Sequence, residues 1–275
     1  MEIGNKSIII TGSSYGIGWT LTRDLARQGA QVACVARSKE RLAELVRQIE
    51  VEGGIALPVP TDVTDRDQVE EMASQVITAF GQVDVLINNA AVFRAIGGFW
   101  EVDASEWWFD VTTNLLGSFQ CCRAVLPNMM NRDEGIIINM TGGGFDRPNL
   151  GGSGYGSSKA AIMRMTDTLA YELIHADHNI QVYALNPGFV RSEMTRLLAE
   201  TEAGQRWLPH VKTGLEAEQD HPAEDVSRAV IKLMEISCPP LSGRIFSYQD
   251  DFDRIAQRAE EIKRKDIYQL RMVTG

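Results

Sequence analysis

The sequence predicts a three-layer, doubly wound α/β domain built on a parallel sheet of seven strands. Three observations carry that expectation. Short β-branched runs alternate with longer segments of helical period, the pattern of βα units laid side by side. Several of the short runs, "SIIIT", "VDVLI" and "GIIINM", are apolar almost throughout, as strands covered by helices on both faces must be. The longer segments place apolar residues at three- and four-residue steps, so each has one face to bury.

Taken in order, the expected strands are Ser7 to Thr11, Gln31 to Ala36, Ile55 to Val59, Val83 to Ile87, Gly135 to Met140, Ile180 to Leu185 and Arg244 to Ser247. The first runs into a turn containing Gly12, Gly16 and Gly18, then a helix. Glycines let a backbone approach a pyrophosphate, and the helix start supplies free N–H groups and partial positive charge. Dinucleotide binding is therefore expected here. The second strand ends at Ala36, followed by Arg37 where an acid would bond the adenine ribose 2′-hydroxyl. A guanidinium pairs with a 2′-phosphate instead, so NADP(H) is the expected cofactor. The next two helices open at Ser38 and Asp65, both N-cap formers, and end at glycine. After the fifth strand comes "TGGGFDRPNLGGSG", then "YGSSK" at the start of a helical pattern. Tyr155 and Lys159 stand four apart there, on one helical face. The polar, weakly periodic stretch from Arg191 to His221 is expected to form a lid. The tail from residue 250 is charged and helix-like, and is expected to pack on the domain or on a neighbouring subunit. The expected organisation is a cofactor-binding catalytic domain over 1–249 and a helical extension over 250–275.

At 275 residues the chain suits one large domain, able to bury roughly three quarters of its unfolded surface without disulfides or metals. A net charge of −10 argues against nucleic acid or anionic membranes as partners. Cys34, Cys121, Cys122 and Cys238 form no CxxC pair and no ligand spacing with histidine, so free thiols are expected. His175 and His178 are expected at the surface, and Trp107 and Trp108 in packing. The N-terminus runs directly into a strand, and no window approaches 18 uninterrupted apolar residues. Neither a secretory leader nor a membrane span is expected, and a cytoplasmic location is.

Carbonyl reduction needs a hydride from a nicotinamide and a proton from an acid near the substrate oxygen. Tyrosine alone is a weak base at neutral pH, and an ammonium one turn away favours its phenolate. The Tyr155–Lys159 pair fits that task.

The motif TGxxxGxG at Thr11 to Gly18, Asp62 after a strand, "NNA" at Asn88 to Ala90, Asn114 in "TTNLLGSF", the Tyr155 and Lys159 pair, and "NPGFV" at Asn186 to Val190 occur in this order. Over residues 5 to about 247 the chain resembles the short-chain dehydrogenase/reductase family. The resemblance implies a Rossmann fold and interconversion of a small-molecule carbonyl and alcohol with a nicotinamide cofactor. It implies that Gly12, Ser14, Tyr15 and Ile17 form the phosphate and ribose turn. Asp62 and Val63 match the adenine pocket, Asn89 and Ala90 the central cofactor strand, and Val190 and Ser192 the loop meeting the carboxamide. It makes Tyr155 the acid/base, Lys159 its partner and Asn114 the holder of a relay water. Homodimers or homotetramers, assembled through the helices after the fourth and fifth strands, are implied as well.

The family's catalytic serine, thirteen residues before the tyrosine, is Gly142 here. Three readings follow: Thr141 supplies the hydroxyl through a loop shifted by one residue, Ser153 supplies it from across the cleft, or there is none. The last would suit an NADP(H)-binding regulatory protein with little catalysis. The family's "NNAG" is also "NNAA", with Ala91 ahead of Phe93 and Arg94. Further pocket candidates on the loops after the fourth, fifth and sixth strands are Phe99, Trp100, Phe145, Arg147, Leu150, Met194, Leu197 and Trp207.

Overall fold

The computed structural model describes residues 1–271. The first half alternates strand and helix: β1 (Ser7–Thr11), α1 (Gly16–Arg27), β2 (Gln31–Ala36), α2 (Lys39–Val51), β3 (Ile55–Pro60), α3 (Arg66–Phe80) and β4 (Val85–Asn88). There follow α4 (Ala104–Val111), a π-helical turn (Thr112–Leu116), α5 (Gly117–Arg132), β5 (Gly135–Met140), α6 (Ser153–His175) and β6 (Ile180–Asn186). The remainder is mostly helical: α7 (Glu193–Glu200), α8 (Glu202–Trp207), α9 (Pro209–Glu216), α10 (Ala223–Glu235), β7 (Ile245–Ser247), α11 (Phe252–Gln257) and α12 (Ala259–Lys265).

The strands form one seven-stranded sheet in the order β3-β2-β1-β4-β5-β6-β7, every adjacent pair parallel. Strand alternation divides the core into two layers. Ile8 and Ile10 of β1 and Ile136 and Ile138 of β5 face one side, with Leu21 and Leu25 of α1, Leu42 and Leu45 of α2, and Val226 and Val230 of α10. Ile9 and Ile137 face the other, with Met72 of α3, Val125 of α5 and Leu173 of α6. Sheet residues are apolar on both faces because helices cover both.

Six of the seven strands lie within one residue of expectation at each end; β4 starts two residues late. There the Val83 amide donates to Asn128 Oδ1 (3.0 Å) instead of to a strand. Ser38 caps α2 through the Arg41 amide, and Asp65 caps α3 through the Asp67 and Gln68 amides. α4 is capped by Asp103, one residue before its first turn. The expected lid is three short helices, α7 to α9, with a small apolar core of Leu198, Leu208 and Val211. The tail packs on the domain: Phe252, Ile255, Ala259 and Ile262 join the core layer of α1 and α10, and the Ile245 amide donates to the Tyr268 carbonyl (2.8 Å). The end of the expected extension, residues 272–275, lies outside the described residues. The four cysteines are free thiols. Among the described residues no helix is long and apolar enough to cross a membrane, and no cluster of histidine, cysteine or acid could hold a metal ion.

Candidate active site

The chain reverses direction across the sheet between β1 and β4, and a cleft of about 790 Å³ opens there at the carboxyl ends of the strands. Its glycine turn is held from behind. Asn89 Nδ2 donates to the carbonyls of Thr11 (2.9 Å) and Gly12 (3.3 Å), and the Asn89 and Ala90 amides both donate to Thr11 Oγ1 (3.0 Å). A Cβ on Gly12, where φ is +71°, would lie 2.9 Å from Ala90 Cα; one on Gly18 would overlap the Gly12 carbonyl. Side chains are excluded from both positions, and no side chain caps the first turn of α1. That cradle fits a pyrophosphate approaching the free N–H groups of α1.

Arg37 is exposed at one end of the cleft, directly after β2. Beside it the Arg41 guanidinium lies 4.3 Å from the centroid of the Tyr15 ring and 3.9 Å from Glu193 of α7. Arg41 was not singled out by sequence, although its place one turn beyond Arg37 on a cleft-edge helix was a usable signal. Asp62 Oδ1 accepts from Thr64 N (2.9 Å) and Thr64 Oγ1 (2.7 Å), which shapes the turn that carries Val63.

At the other end β5 delivers Thr141 and α6 delivers Tyr155 and Lys159 to the same wall. Thr141 is buried, and its Oγ1 accepts from the Gly142 amide (2.5 Å). Its hydroxyl proton remains free to point into the cleft. Gly142 faces the Tyr155 ring edge so closely that a Cβ there would overlap the phenol oxygen and lie 3.2 Å from Cζ. The Phe93 ring stacks on the Tyr155 ring, 4.5 Å between centroids and 10° between planes. Lys159 is 2% exposed and donates from Nζ to the Met140 carbonyl (2.9 Å).

Burial dominates the electrostatics. It pushes the Tyr155 phenol above its ordinary range, with the nearby Asp110 carboxylate adding to the shift. It pushes Lys159 down to about 7. Burial thus opposes the pull of the Lys159 ammonium on the phenol that the sequence spacing suggests. Desolvation penalises the charged form of each group. At neutral pH Tyr155 holds its proton, the state an acid catalyst needs.

Asn114 and Val190 lie behind the cleft wall. Asn114, in the π-helical turn, exchanges bonds with both backbone groups of Val92 (2.8 and 3.0 Å) and donates to Ser158 Oγ (3.0 Å). Ser158 in turn donates to the Tyr155 carbonyl (2.6 Å). Val190 is buried, pairs with His221 in a short bridge, and accepts from Thr195 Oγ1 through its carbonyl (3.1 Å). Ser192 lines the cleft, and its hydroxyl caps α7. Ser153 does not line the cleft: its hydroxyl accepts from the Trp107 indole (3.1 Å).

Gly12, Ser14, Tyr15, Ile17, Arg37, Asp62, Val63, Asn89, Thr141, Tyr155, Lys159 and Ser192 therefore share one cleft. Residues 6–203 also match the sequence pattern of the short chain dehydrogenases. The chain belongs to the short-chain dehydrogenase family. As a short-chain dehydrogenase it is an oxidoreductase served by a nicotinamide cofactor. It is 36% identical over 197 residues to the 3-oxoacyl-(acyl-carrier-protein) reductase FabG of Staphylococcus epidermidis, covering 71% of this chain and 80% of that one. A short-chain type dehydrogenase/reductase from Mycobacterium marinum superposes with a TM-score of 0.69 at 32% identity, over 74% of this chain and 80% of that one. A short chain dehydrogenase/reductase from Burkholderia phymatum, solved in complex with NAD, shares the fold over the full length of both chains at TM-score 0.80 and 22% identity.

Of the remaining pocket candidates, Phe93, Arg94, Met194 and Leu197 line the cleft. The Arg94 guanidinium lies over the Phe109 ring, 4.2 Å from its centroid. Phe99, Trp100, Phe145, Arg147 and Leu150 do not line it. Trp207 of α8 docks between the Gly98 and Gly151 backbones and donates to Glu101 Oε1 (2.9 Å), fastening the lid to the loop before α4. Asp110 of α4 is the buried polar residue that sequence reasoning missed. An acid one helical turn before Asn114, on the same face, was its signal.

Proposed function

We propose that this short-chain dehydrogenase is an NADP-dependent oxidoreductase interconverting a small-molecule carbonyl and its alcohol. The observation that carries the reading is the convergence of Thr141, Tyr155 and Lys159 on the cleft that also holds the glycine turn. Ser14, Tyr15 and Ile17 of that turn, with Asn89 behind it, hold the pyrophosphate and ribose. Asp62 and Val63 form the adenine pocket, and Ser192 with the Val190 backbone meets the carboxamide. A nicotinamide cofactor, when bound, supplies or takes up the hydride. Tyr155 gives the proton to the substrate oxygen, Thr141 donates a hydrogen bond to that oxygen, and Lys159 holds the cofactor ribose. Asn114 supports the relay by fixing Val92 and, through Ser158, the first turn of α6. The absence of an acid at the end of β2, with Arg37 following in the cleft, supports a 2′-phosphate.

Titration with NADPH and with NADH, read by cofactor fluorescence, followed by turnover on a panel of ketones, aldehydes and alcohols, tests the assignment. Tight NADPH binding with turnover is expected. NADPH binding without turnover would favour the second reading, a cofactor-dependent regulatory protein, which Gly142 in the serine's place motivates. We also propose a cytoplasmic homodimer or homotetramer. An exposed apolar patch of Trp108, Leu116 and Phe119, on α4, the π-helical turn and α5, supports self-association.

A further inference from the structure

Loop 92–95, which follows β4, is held by two side chains one helical turn apart. Asn114 takes both backbone groups of Val92. Asp110, fully buried, accepts from the Arg94 amide with Oδ1 (2.9 Å) and Oδ2 (3.2 Å), and from the Ala95 amide with Oδ2 (3.1 Å). Phe93 lies between these anchor points, and its ring is the one stacked on Tyr155. The Arg94 guanidinium is turned onto Phe109, so backbone N–H groups, not an ion pair, hold the carboxylate. Burying a carboxylate is costly, and such costs concentrate where a site must be held in place.

We propose that Asp110 is a positioning residue for Tyr155: its carboxylate fixes loop 92–95 so that the Phe93 ring sets the plane and reach of the phenol. This rests on the reading of Tyr155 as the proton donor. Phe93 covers one face of the phenol ring, and Gly142 closes against its edge. With the loop fixed, the hydroxyl has one orientation toward the cleft. Loosening the loop lets the ring swing, and errors of about 1 Å in a reacting group cost up to about a hundredfold in rate. Burial, with Glu106 on the same helix adding to it, pushes Asp110 up to about 6, while the Arg94 and Ala95 amides and the Arg94 charge oppose the shift. Tyr155 on α6 is the other titrating group that senses it. Protonation near pH 6 removes the anionic acceptor, so positioning is lost on the acid side.

The test compares wild type, Asp110→Asn, Asp110→Glu and Phe93→Ala. Its readouts are NADPH affinity, kcat and KM between pH 5 and 9, and hydrogen exchange at the Arg94 and Ala95 amides. Asp110→Asn and Phe93→Ala are expected to lower kcat tenfold or more with NADPH affinity unchanged within twofold. In Asp110→Asn the two amides exchange faster and the acid limb of the wild-type rate near pH 6 disappears; Asp110→Glu restores part of the rate and the limb. An active wild type alongside an Asp110→Asn variant with the same kcat and pH profile overturns the positioning role alone. Parallel loss of NADPH affinity overturns it too, since the residue would then be structural. A wild type that binds NADPH yet turns over nothing on the panel removes the proton-donor reading, and the proposal with it.

Discussion

Restoring the family's serine at position 142 should damage this enzyme, not improve it. Were Gly142 simply a missing donor, Gly142→Ser would add an oxyanion-type hydrogen bond and raise kcat by about a hundred- to a thousandfold. The packing says otherwise. A Cβ at this position overlaps the Tyr155 phenol oxygen and sits 3.2 Å from Cζ and 3.4 Å from Cε1. Ordinary carbon contacts begin near 3.5 Å, so the phenol must withdraw by about 1 Å. It cannot turn aside freely, because Phe93 is stacked on one face of the ring. Displacing a proton donor by that distance costs about a hundredfold in rate, and forcing the overlap costs about 1–3 kcal/mol of stability. The two accounts differ by roughly four to five orders of magnitude in kcat. The assay is steady-state turnover of NADPH with a substrate the wild type accepts, run on Gly142→Ser and on Gly142→Ala. Both variants should fall about a hundredfold, since the Cβ, not the hydroxyl, does the harm. A Gly142→Ser enzyme faster than wild type, with Gly142→Ala near wild type, would falsify the steric argument.

Three further predictions follow from the same site. Thr141→Val keeps the shape of the β5 end and removes its hydroxyl, so kcat should fall about a hundred- to a thousandfold; unchanged turnover on a good substrate would show that Thr141 is not the donor. Lys159→Met should abolish turnover yet stabilise the ligand-free protein. Burial lowers Lys159 from 10.5 to about 7, so the native state binds this proton less tightly than the unfolded chain does. The stability linked to this group is greatest above pH 10.5 and is lost as pH falls through about 7. The cost at pH 7 is on the order of 4 kcal/mol, reduced in the variant by leaving the Met140 carbonyl unpaired, which costs about 1–3 kcal/mol. Urea unfolding at pH 7 and pH 10 should show a stabilised variant whose advantage shrinks at the higher pH; a variant weaker than wild type at pH 7 contradicts the assignment. Arg37→Glu should weaken NADPH binding about ten- to a hundredfold, from the loss of one charge-assisted pair worth about 1.5–3 kcal/mol. NADH binding should change little, and equal losses for both cofactors would mean that Arg37 does not read the 2′-phosphate.

The sequence by itself determined the sheet, the glycine turn and the Tyr155–Lys159 pair, because each is encoded by local rules. Strands buried on both faces read as continuous apolar runs, an uncapped helix start after glycines reads as an anion site, and a four-residue spacing on a helix fixes a shared face. What only the tertiary structure decided depends on surfaces brought together from distant parts of the chain. Thr141, not Ser153, faces the cleft because Trp107 of α4 takes the Ser153 hydroxyl. Gly142 meets the Tyr155 phenol only when the end of β5 and the first turn of α6 are packed together. Asp110 reads as an ordinary polar residue until α4 buries it against the loop after β4. The direction of the pKa shifts belongs to the same class. Sequence spacing gives the attraction between Lys159 and Tyr155, but their desolvation is a property of the assembled interior, and it pushes both groups toward their neutral forms.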